Sequence, residues 1–121
     1  MENLTATDVL RQVDDLLPNQ YAGEEKLRWL MQAEGFVVQE VLRPCGADGE
    51  TEMSGDHVML VPPPYDELYR HYVESQIHYA NGEMDRYNNA AAAWNSTLLT
   101  YRDWYFRNHM PQQAVKALRL C

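Results

Sequence analysis

The chain is 121 residues long, 45% hydrophobic, and carries a net charge of −8. It is long enough for one domain over residues 1–121 that encloses a core, and its ten basic residues are scattered, which argues against non-specific DNA binding because phosphate contacts need clustered Lys and Arg. No stretch nears the ~18 consecutive apolar residues of a membrane span, and the opening MENLTATDVLRQVDD lacks the basic and apolar regions of a secretory signal, so a reducing cytoplasm is the expected setting.

A first helix is predicted over residues 6–17. Thr5 can cap it, with Asp8 three residues on in capping-box spacing, and Val9, Leu10, Val13, Leu16 and Leu17 form its apolar face. Pro18-Asn19 ends it. A second helix is predicted over 24–43, with Glu24 and Glu25 in the first turn, where the helix dipole favours acids. Leu27, Leu30, Met31, Val38, Val41 and Leu42 line one side, Trp29 flanks it, and Pro44 closes it. Gly35 weakens it in the middle by about 1 kcal/mol of propensity.

Residues 44–61 read as an excursion from a helical body. Asp48-Gly49 and Ser54-Gly55 are turn dipeptides, and Val58-Met59-Leu60-Val61 could form half of a short β-hairpin with residues 50–53. Little in residues 45–61 is apolar enough to bury alone, so a mobile arm that docks on a partner and a plain surface loop are both open readings. Pro62-Pro63-Pro64 is a stiff connector.

A third helix is expected to start near Pro64, with Tyr65, Leu68, Tyr69, Tyr72, Val73, Tyr79 and Ala80 on one broad face. Asn81-Gly82 breaks it. A long fourth helix follows over 83–108. In it Met84, Tyr87, Ala91, Trp94, Leu98, Tyr101 and Tyr105 recur at alternating spacings of 3 and 4, the pattern of an apolar seam along one helix side. Pro111 interrupts, and 112–120 reads as a short helix or tail. The fold class is therefore all-α: a bundle of about four helices with a long C-terminal helix.

Side-chain groupings that could carry chemistry are sparse. Glu67, His71, Glu74 and His78 share one side of the third helix, but the spacing is Glu-x-x-x-His, where di-iron bundles use Glu-x-x-His, so a solvated stripe is expected. Cys45 and Cys121 lack CxxC spacing, which argues against zinc and leaves a disulfide as the lesser alternative. Phosphate loops, GxSxG and HExxH are missing from the sequence, so no catalytic residue, metal or cofactor is expected and an enzyme is disfavoured. Asp85, Arg86, Asn88 and Asn89 suggest an internal polar network, with a subunit contact as the alternative. The small Ala90–Ala93 run allows close helix approach. Tyr87, Trp94, Trp104, Tyr105, Phe106 and His109 are the candidate partner-interface residues. Trp104, Tyr105 and Phe106 are consecutive, so they point about 100° apart and cannot all enter one core.

The segments PPPYDELYRHYVESQIHYANGEMDRYNNAAAAWN and WYFRNHMP, with TATDVLRQVDDLLPNQY and EEKLRWLMQAEGFVVQEVL before them, resemble the head-tail connector (adaptor) proteins of tailed bacteriophages. The resemblance spans most of the chain outside residues 44–58. It implies a mainly helical subunit that forms a homo-oligomeric ring, a dodecamer, in the neck of the virion after assembly in the host bacterial cytoplasm. Such a ring binds the portal protein on one side and tail or head-completion proteins on the other, and DNA passes its channel without specific binding. A second reading keeps the size and acidity but changes the class: a DNA-mimicking inhibitor of a host nucleic-acid enzyme. A mimic needs carboxylates at phosphate-like spacing on one exposed side, whereas these acids are spread over helix starts and loops.

Overall fold

The structure, a computed structural model, describes residues 2–109. Four α-helices carry it: α1 (Ala6–Leu16), α2 (Gly23–Val37), α3 (Glu67–Ala80) and α4 (Met84–His109). Among the described residues there is no strand. The segment at 112–120 and Cys121 lie outside the described residues.

The start of α1 follows directly from its sequence. The Asp8 amide donates to Thr5 Oγ1 at 3.3 Å and the Thr5 amide to the Asp8 carboxylate at 3.2 Å, a reciprocal capping box. Ala6, Val9 and Val13 are buried, while Leu16 is 64% exposed, so the inward stripe is narrower than the sequence suggests. Lys26 of α2 is buried and reaches Asp14 of α1 at 2.7 Å, which ties the two helices across their connector.

The long second helix changes its winding. After Val37 the chain makes a π-helical turn, Val38–Leu42, and then a 3₁₀ turn, Arg43–Cys45. Pro44 has no N–H to continue an α-ladder, and the chain leaves through Gly46 at φ 84°, a left-handed conformation suited to glycine. Val37, Val38, Val41 and Leu42 stay buried through this change.

The excursion differs from the expected hairpin. Val58 bridges Thr5, not residues 50–53. Ala6 N–H donates to the His57 carbonyl at 2.8 Å, and Met59 N–H to the Leu4 carbonyl at 2.9 Å. Met59 and Val61 are fully buried. The second half of the excursion is therefore core, and the loop character is confined to residues before His57. Gly55 marks the near edge of this docking: its carbonyl accepts from Thr7 N–H at 3.0 Å and Thr7 Oγ1 at 2.9 Å, and a Cβ there would run into the Thr7 hydroxyl.

Pro62–Pro64, with a cis Pro63–Pro64 bond, turns the chain into α3, which begins at Glu67, three residues later than its prolines suggest. Asn81–Glu83 then reverses the chain into α4, and this antiparallel α3/α4 pair is the most extensive helix contact. At 26 residues α4 spans about 39 Å, against about 21 Å for the 14 residues of α3. Beyond α3, α4 packs on Tyr65 of the connector, with ring centroids of Tyr65 5.6 Å from Tyr101 and 5.5 Å from Trp104. No helix among the described residues is long and apolar enough to cross a membrane.

Candidate functional site

Two places concentrate side chains beyond ordinary packing: a buried polar knot and an open aromatic groove.

The knot centres on Glu34 of α2, which is fully buried. Its carboxylate accepts from His57 Nε2 at 2.9 Å, from Leu60 N–H at 2.9 Å and from the Tyr69 hydroxyl. The Tyr69 oxygen in turn accepts Val61 N–H at 3.0 Å. One carboxylate thus holds α2, the 57–61 segment and α3 together. Burial, and then the charge of Glu34, push the Tyr69 hydroxyl well above its ordinary range. In the sequence alone Glu34, His57 and Tyr69 do not stand out as a set. The signal was available in part, since 27, 30, 31, 34, 37, 38 and 41 share the apolar side of α2 and residue 34 falls inside it. Its groups are spent on one another and on the Leu60 and Val61 amides, which fixes the 57–61 segment against α2 and α3.

The Glu/His stripe of α3 does not come together as one site. Glu74 pairs with Arg70 at 3.2 Å, and His78 is buried with its Nδ1 2.8 Å from Glu83. Among the described residues no three His, Cys, Asp or Glu side chains are placed to share a metal. His78 corrects the picture of a solvated stripe: it belongs to the α3/α4 junction, where Asn81 also donates to Glu83 and receives the Tyr21 hydroxyl at 2.5 Å. A polar network thus lies at the α3/α4 junction, but of the expected members only Arg86 reaches it, 3.7 Å from Glu83, and Asp85, Asn88 and Asn89 are exposed.

The seam of α4 is core over its C-terminal part. Trp94, Tyr101 and Tyr105 are buried, Tyr87, Ala91 and Leu98 are half-buried, and Met84 is 45% exposed. Trp94 lies edge-on to Tyr72 at 5.0 Å and 6.3 Å from Phe36. The three consecutive aromatics divide as their geometry requires: Tyr105 is buried, whereas Trp104 and Phe106 are half-buried on either side. Trp104 packs on Tyr101 at 5.9 Å, and Phe106 lies under the Arg102 guanidinium at 5.8 Å. The exposed His109 stacks on Tyr105 at 3.8 Å, and Tyr87 meets Tyr79 at 5.3 Å. The six candidate residues therefore form no single patch: Trp104, Tyr105 and His109 are neighbours, Tyr87 and Trp94 line another region, and Phe106 lies apart on Arg102.

That other region is a groove of about 670 Å³ where α3, α4 and the end of α2 meet. Tyr72, Tyr87, Trp94 and Leu98 line it, and Phe36 and Leu99 remain 46% and 47% exposed along it. Arg102 also lines it, and its Nε is buried without a hydrogen-bond partner. A concave, largely apolar surface of this kind is suited to contact.

No family model, curated protein or solved structure matches the chain.

Proposed function

We propose that this protein is a structural subunit of a phage head-tail connector, a ring-forming adaptor that docks on the portal and joins the DNA-filled head to the tail. The observation that carries this reading is the groove between α3 and α4. After the core is filled, rings and leucines still line an open surface there, the residue types that dominate contact energetics. The buried acid and imidazoles hold loops and helix ends in place, as suits a scaffold. The phage setting comes from the PYDELY, NGE and RYNN motifs. In this reading the net charge of −8 lets duplex DNA pass the ring without being held, and the protein resides in the neck of the virion.

The DNA-mimic reading has less behind it. Asp8, Asp14, Asp48 and Glu74 are engaged with basic side chains in different parts of the molecule, and Glu34 is buried. These five acids are not free to join one exposed row. The experiment is a complementation: heads filled without this chain should fail to join tails, and purified protein should restore joining. Normal joining without it, together with stoichiometric inhibition of a host nuclease or polymerase, would favour the mimic.

A further inference from the structure

We propose that the α3/α4 groove receives the 50–56 loop of a second copy of this chain, with Met53 as the apolar plug and the loop's acids facing Arg102. This takes up the ring of the connector reading and names its contact. The groove offers Trp94, Leu98 and Leu99 to an apolar side chain, and Arg102 lines it as a cation. A charge-assisted hydrogen bond to that guanidinium is open to a carboxylate, so the groove favours an apolar segment that brings one. The chain itself displays such a segment. Met53 is 56% exposed, and Glu50, Glu52 and Asp56 around it are exposed and make no ion pair among the described residues.

No residue of the loop lines the groove of its own chain, so the two surfaces lie apart. A contact between different surfaces is head-to-tail, the kind that closes into rings when the rotation permits. Glu40 also lines the groove, is exposed and makes no ion pair among the described residues. In a head-to-tail contact it opposes the incoming acids. In a two-fold contact of groove against groove it would instead pair with the other copy's arginine.

The test is sedimentation velocity of the protein alone, at high concentration, with circular dichroism to confirm helicity. The natural sequence should self-associate. Met53→Asp and Arg102→Gln should each weaken association roughly tenfold or more, and Glu40→Gln should hold or tighten it. Met53→Asp keeps an intact groove and Arg102→Gln an intact loop, so mixing them should yield 1:1 dimers and nothing larger. A natural sequence that stays monomeric, a Met53→Asp variant that assembles normally, a mixture that stays monomeric, or weakening by Glu40→Gln would each overturn the contact. A monomer that nevertheless restores head-tail joining would overturn this contact and leave the connector reading standing.

Discussion

Glu34 shows how one residue can decide the course of a loop. Its carboxylate satisfies three donors on two separate elements, two of them in buried hydrogen bonds. Glu34→Ala should therefore cost on the order of 3–5 kcal/mol, the range for breaking a buried pair from one side, read as a lower urea midpoint. A loss under about 1 kcal/mol would mean that the knot contributes little. Tyr69 gives the same knot a pH signature. Its folded hydroxyl ionises only above its ordinary value of 10.0, mainly because it is buried and secondly because Glu34 is charged. The unfolded chain loses that proton first as pH rises. Stability from this group is thus fully present below pH 10 and drains away as pH climbs from there toward the folded value. Tyr69→Phe should flatten the stability–pH slope above pH 10, and residue 69 should contribute tyrosinate absorbance only on unfolding; ionisation in the folded state would contradict this.

At the scale of elements, legibility followed the range of the interactions. The four helices could be read because their signals are local: the Thr5–Asp8 box, Pro44, Asn81-Gly82 and the 3–4 seam of α4. The fate of 57–61 could not, because its partners are Leu4, Glu34 and Tyr69, far away in sequence, and a four-residue apolar run looks the same whether it pairs in a hairpin or enters a core. The change to π and 3₁₀ winding after Val37 left no periodic trace, since the buried valines continue through it. In the candidate interface, the seam shows which side of α4 is apolar but not where α3 stops covering it, so it does not reveal that Tyr105 is buried or that Phe36 and Leu99 stay exposed. Two measurements probe these elements. Gly55→Ala should push Thr7 aside and speed amide exchange over residues 55–59 while α3 and α4 keep their protection; equal acceleration everywhere would mean the loop is not a separate unit. Trp94→Ala should lower stability by about 3–5 kcal/mol, whereas Phe106→Ala, half-buried beside Arg102, should cost clearly less. Equal losses in thermal unfolding would contradict the division of α4 into a core side and a flank.

The described residues form a helical body around one hydrophobic core, tied by the Glu34 knot and by the α3/α4 junction network, with a long α4 and an open aromatic groove. In the proposed reading, the net charge of −8 lets duplex DNA pass without being held. The account's central claim is that this body is a connector subunit, and native mass measurement of the purified protein mixed with purified portal ring tests it most directly. The account predicts a stable complex in which many copies of this 121-residue chain join each portal ring. Portal and protein that migrate separately over the whole concentration range would contradict it.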